Sequence, residues 1–193
     1  RKRKVFNYRS KGKLYLIPTQ LGDNAPLEVL PISVKKIIEA VDEYIVENEK
    51  TARRFIKNVS SGKSQASLKI HLLNKFTQVT ELPSYLNSCL QGRNIGLLSE
   101  AGCPGIADPG AEVVKIAHEK DIQFVPLVGP SSILLALMSS GMNGQSFAFK
   151  GYLPIDKSEI LIKNLLSISG TSFLPSGAKL KISYFDSNGQ IAT

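Results

Sequence analysis

Two loops built from small and rigid residues are the segments of this sequence best suited to hold a ligand. The first reads Pro-Thr-Gln-Leu-Gly-Asp (18–23), and the second reads Ser-Glu-Ala-Gly-Cys-Pro-Gly-Ile-Ala-Asp-Pro-Gly (99–110). Small residues let a ligand approach the backbone, and prolines reduce the entropy lost on binding. Asp108 and Pro109 predict the N-cap and first residue of a following helix. By residue type alone, such a loop is as often a structural turn as a binding site.

A second chemical feature is a concentration of positive charge in two places. The chain has 24 Lys plus Arg and 16 Asp plus Glu, yet six basic residues lie in its first 11 positions. Seven more lie between positions 50 and 80, where no acid occurs: Lys50, Arg53, Arg54, Lys57, Lys63, Lys69 and Lys75. The tail is interpreted as a disordered end or a functional basic arm. The 50–80 stretch is interpreted as a solvated face or a polyanion-binding surface.

Other catalytic and metal-binding patterns fail on spacing. Cys89 and Cys103 form no C-x-x-C pair, and two histidines are too few for a Cys/His zinc set. Gly62-Lys63-Ser64 lacks the earlier glycine of a phosphate-binding P-loop, and the glycines of the 99–110 loop do not match the dinucleotide pattern. Isolated His71 and His118 are predicted to be surface or core residues, and Cys103 to have a packing role.

Strand and helix patterns alternate around these loops. Apolar runs predict strands at 14–18, 44–47, 94–99 and 123–128, with weaker candidates at 147–149 and 180–185. Helical spacing predicts helices at 33–41, 81–91, 112–120, 131–140 and 159–166. This alternation predicts an α/β fold with a parallel sheet. Ligands of such sheets bind beyond the carboxyl ends of the strands, which is where both loops lie.

The 193 residues are enough for one large domain or two small ones. The pattern of elements and charge divides the chain into a basic tail at 1–12, an N-terminal α/β domain at 13–128 and a C-terminal α/β domain at 129–193. The boundary is placed near Gly129-Pro130, where a predicted strand ends. No apolar run approaches the roughly 18 residues of a membrane span, and the basic N-terminus lacks the apolar stretch of a signal peptide. A cytoplasmic protein without membrane contact is therefore predicted.

The loops also carry a family resemblance. Residues 98–110, followed by Val-Pro-Leu-Val-Gly-Pro-Ser-Ser (125–132) and Gly-Tyr-Leu-Pro (151–154), resemble the tetrapyrrole (corrin/porphyrin) methylase superfamily. Their order and spacing are most similar to the bacterial small-subunit ribosomal RNA (cytidine-2′-O)-methyltransferase I group. The opening segment 14–19 and Val46-Glu47-Asn48 fit the same group, so the match runs from about Lys13 to Pro154.

The resemblance implies an S-adenosylmethionine-dependent methyltransferase of two α/β domains, with the cofactor in the cleft between them. It also implies a homodimer and no metal. Carried over residue by residue, the cofactor-binding positions come from three segments: Pro18, Thr19, Gly22, Ser99, Glu100, Ala101, Gly102, Cys103, Pro104, Gly105, Val128, Gly129, Pro130, Ser131 and Ser132.

For the methyl acceptor, the resemblance implies ribosomal RNA or the small ribosomal subunit. The acid-free stretch suits a phosphate backbone, with RNA contacts expected from Lys50, Arg53, Arg54 and Lys57. Glu47 is the candidate base for a ribose hydroxyl; the alternative is that it only hydrogen-bonds backbone or pairs with Arg53 or Arg54. A precorrin or porphyrin methylase, a non-catalytic RNA-binding relative and a diphthamide-type protein methylase remain alternatives.

The sequence departs from the ribosomal group at two acidic positions and in length. Glu100 and Asn48 stand where the group usually has Asp. Members of the group also continue well beyond the Gly-x-Leu-Pro segment into a complete second domain. The second domain of this chain is therefore expected to be incomplete.

Overall fold

The computed structural model describes residues 10–141 and 143–149, together with the backbone of two short strands near the C-terminus. The strands are β1 (Leu14–Ile17), β2 (Glu43–Val46), β3 (Lys69–Leu72), β4 (Ile95–Leu98), β5 (Phe124–Pro126), β6 (Tyr184–Phe185) and β7 (Ile191–Ala192). The helices are α1 (Pro26–Val29), α2 (Ile32–Ala40), α3 (Glu49–Val59), α4 (Leu82–Tyr85), α5 (Asn87–Leu90), α6 (Ala111–Glu119) and α7 (Ser132–Ser139), with a 3₁₀ turn at Val79–Glu81.

The first five strands form one parallel sheet in the order β3-β2-β4-β1-β5. In its register, Leu14 of β1 lies opposite Ile95 of β4 on one side and Phe124 of β5 on the other. The predicted parallel α/β fold is confirmed. Because all five strands run the same way, their carboxyl ends share one edge of the sheet.

Apolar side chains cover both faces of this sheet. On one face, Tyr44 and Val46 of β2 pack with buried residues of α2 and α3. On the other face, Ile45 and Ile95 pack with buried residues of α4, α5 and α6. Strands buried on both faces read as continuous apolar runs, which is why β1, β2 and β4 are visible in the sequence.

Several sequence predictions differ from the structure. The helix predicted at 81–91 is divided into α4 and α5, because Leu86 adopts φ −93° and ψ 4° outside the helical region. Within the described part of the chain, residues 147–149 lie outside any strand, so the weak strand predicted there is wrong. The predicted strand at 180–185 is described only at β6, which pairs antiparallel with β7, and the predicted helix at 159–166 lies outside the described residues.

His71 has partners that the sequence did not indicate. It lies in β3, where its Nε2 atom is 2.8 Å from Glu43 Oε1 and its ring stacks on Tyr85. Lys69 Nζ donates to the same carboxylate over 2.8 Å. Burial raises the pKa of Glu43, but hydrogen bonds from Lys69, Ser88 and His71 outweigh it and leave that pKa below its ordinary value. The histidine thus links edge strand β3 to β2.

The described residues fall into two units. The first unit, ending at Ser132, contains the five-stranded sheet, and the second begins at Ile133 and contains most of α7 and the β6-β7 pair. Across the described residues, every helix is too short or too polar to cross a membrane.

We predict that Tyr44→Phe lowers the free energy of unfolding by about 1–2 kcal/mol. The buried Tyr44 hydroxyl donates to the carbonyls of Val41 and Ile38, at 2.7 and 3.0 Å, where helix α2 ends. Removing it leaves buried acceptors without a donor. Urea unfolding followed by circular dichroism measures the change. The control is Tyr15→Phe, because the Tyr15 hydroxyl makes no hydrogen bond within residues 10–141, and an equal loss in both variants would contradict the prediction.

Candidate functional site

Three loops meet at the carboxyl edge of the sheet. Loop 1 (residues 18–23) follows β1, loop 2 (99–110) follows β4, and loop 3 (128–132) follows β5 by one residue. Strand β1 lies between β4 and β5, so the three loops leave adjacent strands. The sheet order therefore brings together the three segments that the resemblance predicts to bind the cofactor.

Backbone and side-chain hydrogen bonds join loops 1 and 2. Thr19 and Gly102 form a two-way bridge, with N···O distances of 3.0 and 3.2 Å. The Thr19 and Ser99 hydroxyl oxygens lie 3.3 Å apart, and Ser99 Oγ donates to the carbonyl of Gly102 over 2.5 Å. Both hydroxyls are buried, so these two side chains fix the relative position of the loops.

Close contacts also join loops 2 and 3. The Cys103 thiol donates to the carbonyl of Pro130 at 3.4 Å. Gly102 has φ +77°, and a Cβ built on it would lie 3.2 Å from the same carbonyl. Burial raises the pKa of the Cys103 thiol, which keeps it protonated and a poor nucleophile at neutral pH. Cys103 therefore contributes packing and a weak hydrogen bond at this junction.

The predicted cofactor residues differ in their exposure. Four are buried under the loop contacts, and five are half-buried. The exposed ones leave backbone open to solvent along the edge: Gly22, Glu100, Ala101, Gly105, Val128 and Ser132. Small side chains at most of these positions permit close approach to the main chain.

The first turn of α3 is tied to loop 2. Asn48 caps the helix, because its Oδ1 accepts from the backbone N–H groups of Lys50 and Thr51. The Thr51 hydroxyl lies 2.8 and 2.9 Å from the carboxylate oxygens of Glu100. Asn48 and Glu100 thus both bind Thr51. They are the two positions at which this sequence lacks the Asp that is usual in the ribosomal group.

A group of carboxylates lies beside this contact. Glu47 directly follows β2, and its charge and that of Glu100 act on Asp108 of loop 2. Burial, and next these two charges, raise the pKa of Asp108 to about 6. The predicted N-cap role of Asp108 is wrong: α6 begins at Ala111 with Gly110 at its N-cap. At φ +135°, Gly110 approaches β4 so closely that a Cβ would lie 2.8 Å from Leu97.

We predict that Asp108→Asn raises the unfolding temperature at pH 7.5 and not at pH 4. The ordinary pKa of 3.8 applies to the unfolded chain, whereas the folded pKa is about 6. The unfolded chain therefore releases the proton first, and stability falls as the pH rises between these values and stays lower above them. After discounting for solvent screening, about 1 kcal/mol or 2–4 °C is expected at pH 7.5.

Scanning calorimetry at both pH values measures this gain. Asp23→Asn is the matched control, because that carboxylate is exposed in loop 1. A gain of equal size at pH 4, or in the control, would show that charge repulsion at Asp108 is not the cause.

The predicted RNA-contacting residues occupy one face of α3. Lys50, Arg53, Arg54 and Lys57 recur at helical spacing, opposite the buried face formed by Ala52, Phe55, Ile56 and Val59. We call these four cations the basic stripe. Arg53 is bound to Glu49, 2.7 Å away, and to the carbonyl of Gln65. Within the described part of the chain the other three are exposed and form no ion pair. Glu47 likewise forms no ion pair with Arg53 or Arg54 there.

Comparisons with known proteins support the resemblance. No family model matches the chain. Over 149 residues, 77% of its length, the chain is 31% identical to "Ribosomal RNA small subunit methyltransferase I" of Halalkalibacterium halodurans, and it covers 49% of that protein. The protein of the same name from Synechocystis is 32% identical over 74% of the chain, with 48% of the relative covered. The chain thus spans about half the length of the curated relatives it matches.

A solved structure, the uroporphyrin-III-C-methyltransferase from Thermus thermophilus, aligns with a TM-score of 0.45 and 22% identity, covering 68% of this chain and 54% of that one. The sequence matches stand independently of this alignment. Over about three quarters of its length, this chain is similar in sequence to proteins named ribosomal RNA small subunit methyltransferase I.

Proposed function

We propose that this protein is an S-adenosylmethionine-dependent methyltransferase that acts on a ribose 2′-hydroxyl of small-subunit ribosomal RNA. The observation that carries the proposal is the junction of loops 1, 2 and 3 at one edge of the sheet. Thr19, Gly102 and Pro130 connect these loops directly. The homologues named as ribosomal RNA methyltransferases supply the reaction and the substrate class.

The residues at the junction fit the cofactor. A Cβ at Gly102 would lie 3.1 Å from Leu21 and 3.2 Å from the Pro130 carbonyl, so the glycine lets the three loops close together around the edge where the cofactor would bind. Exposed Gly22, Ala101 and Gly105 leave main-chain donors and acceptors accessible. When bound, the cofactor supplies an electrophilic methyl group on a sulfonium. The protein then has two tasks. It must align the acceptor oxygen with that methyl group, and it must accept the proton that the acceptor hydroxyl loses.

The cluster of acidic side chains beside loop 2, formed by Glu47, Glu100 and Asp108, is suited to accept the hydroxyl proton. We infer that Glu47 accepts the hydroxyl proton, because it lies beside Glu100 and Asp108 at this edge of the sheet. Glu47 directly follows β2, the strand next to β4, so it lies at the same edge of the sheet as the cofactor loops.

The basic stripe supports an RNA acceptor. Each Lys or Arg that contacts a phosphate releases counterions, so affinity for RNA should fall steeply with salt. Lys50, Arg54 and Lys57 are exposed for such contacts on the helix that begins at the loop 2 carboxylates. An RNA bound along α3 would therefore extend to the carboxyl edge of the sheet, where the cofactor would hold its methyl group.

The assembly and location follow from the same proposal. We infer a homodimer from the family resemblance, and sedimentation velocity of the purified chain tests it. An enzyme acting on the small ribosomal subunit works in the cytoplasm, and we infer that location.

Calorimetric titration with S-adenosylhomocysteine tests the cofactor site, after circular dichroism has shown that the chain is folded. Micromolar binding is expected. Transfer of a radiolabelled methyl group to small ribosomal subunits, and not to tetrapyrroles, tests the acceptor. A folded chain that binds RNA but not S-adenosylhomocysteine would instead be a non-catalytic RNA-binding protein.

A further inference from the structure

A second, outer cavity lies between loop 1 and helix α3. Its volume is about 490 Å³, and its lining includes Gln20, Asp23 and Asn24 on one side and Arg54 and Asn58 on the other. Ligand sites in proteins usually enclose about 300–1,000 Å³, so this cavity has room for a small ligand. A smaller cavity of about 140 Å³ adjoins it, between α3 and the start of loop 2, and the two share Gln20, Arg54 and Asn58 in their linings.

One lining atom lacks the hydrogen bond that burial normally requires. The side-chain oxygen of Gln20 is buried, and no donor reaches it within the described residues. A buried acceptor without a donor costs about 1–3 kcal/mol. Gln20 lines both cavities, so a rotation of its side chain that exposes this oxygen to the outer cavity lets an N–H group of a ligand satisfy it.

The other polar groups that line the cavity comprise an acceptor, a cation and an amide. Asp23 adds a second acceptor, while Arg54 adds an exposed cation and Asn58 an amide. Arg54 and Asn58 are four residues apart, so they lie on the same side of α3. A nucleotide matches this set, because its base edge carries N–H donors and its phosphate carries acceptors and negative charge.

We propose that the outer cavity holds one unpaired nucleotide of the RNA, with its phosphate on Arg54 and its base edge on Gln20 and Asp23. This inference rests on the proposed function, and it adds a nucleotide-specific contact to the general attraction of the basic stripe. Bases of a duplex are already paired and stacked, whereas an unpaired base can enter a cavity. The cavity therefore selects single-stranded over double-stranded RNA.

The test uses a neutral residue, so that loss of charge does not confuse the result. Asn58 is exposed on α3, and alanine favours the helix, so Asn58→Ala should fold normally. Binding of fluorescently labelled single-stranded and double-stranded RNA of the same length is measured by anisotropy at several salt concentrations. Lys57→Ala is the matched control, one residue away on the same helix and outside the cavity lining.

For Asn58→Ala we expect single-stranded RNA affinity to fall roughly three- to tenfold, with duplex affinity and salt dependence unchanged. Gln20→Ala should have the same selective effect. Lys57→Ala should weaken both RNAs alike and reduce the salt slope by about one.

Unchanged single-strand affinity in both cavity variants, or equal losses for single strands and duplex, would overturn the inference while leaving the proposed function intact. A wild-type chain that binds neither RNA would overturn both the inference and the RNA acceptor. Titration of Asn58→Ala with S-adenosylhomocysteine separates the two sites, because cofactor binding should be unchanged.

Discussion

Gly129→Ala is expected to reduce affinity for S-adenosylhomocysteine by about 100-fold or more. A Cβ at Gly129 would lie 2.2 Å from Cβ and 2.3 Å from Cγ of Pro18, which is far inside van der Waals contact. The proline ring is rigid, so loops 1 and 3 must separate to make room for the alanine side chain. A displacement of about 1 Å in a binding site commonly costs two orders of magnitude.

Calorimetry with S-adenosylhomocysteine measures this loss, and circular dichroism establishes that the variant is folded. The matched control is Gly62→Ala, because a Cβ at Gly62 meets no atom within 4 Å. If Gly129→Ala binds the ligand as tightly as the wild-type chain, loops 1 and 3 do not form one cofactor site.

Glu47→Gln is expected to lower kcat by about 100-fold or more, with little change in KM for RNA. Glutamine keeps the size of the side chain and removes its ability to accept a proton. Removing the negative charge of Glu47 also reduces the repulsion on Asp108, so the pKa of Asp108 should fall from about 6 towards its ordinary value.

Single-turnover methyl transfer across a pH range measures kcat, and carboxylate NMR of the folded chain measures the Asp108 pKa. Glu49→Gln is the control, since Glu49 pairs with Arg53 on the same helix. A Glu47→Gln variant with wild-type kcat and a lowered Asp108 pKa would assign Glu47 an electrostatic role without proton transfer.

The central strands were predictable because burial on both faces leaves a clear pattern. Strands β1, β2 and β4 lie within one residue of the predicted positions, and loops 1 and 2 follow two of them. Edge strand β5 lies within two residues of its predicted position, because it still carries a short apolar run at 124–128. Their junction was not predictable from residue types. It depends on β1 lying between β4 and β5, an order that local sequence does not encode.

Two elements were missed within the acid-free stretch. Helix α3 had a readable signal, namely an Asn48 cap followed by apolar residues at 52, 55, 56 and 59, but its many basic residues also fit a solvated charged stretch. Strand β3 gave little signal, because it is an edge strand and half-exposed along its length. Because α3 was not predicted, neither the cavity beside it nor the position of the basic stripe on one helix face could be predicted from the sequence.

The position of β1 in the sheet also determines when this site forms during synthesis. Its partners lie at Ile95 and Phe124, far along the chain from Leu14, whereas β2 and β3 pair over a short separation. At about 5–20 residues per second, a ribosome takes roughly 5–20 s to deliver β5 after β1. Until β4 has been made, the apolar segment 14–17 has no strand to pair with, and until β5 has been made one of its two edges stays unpaired. Loops 1, 2 and 3 therefore come together last, so newly made chains acquire the cofactor site only after the rest of the sheet has folded.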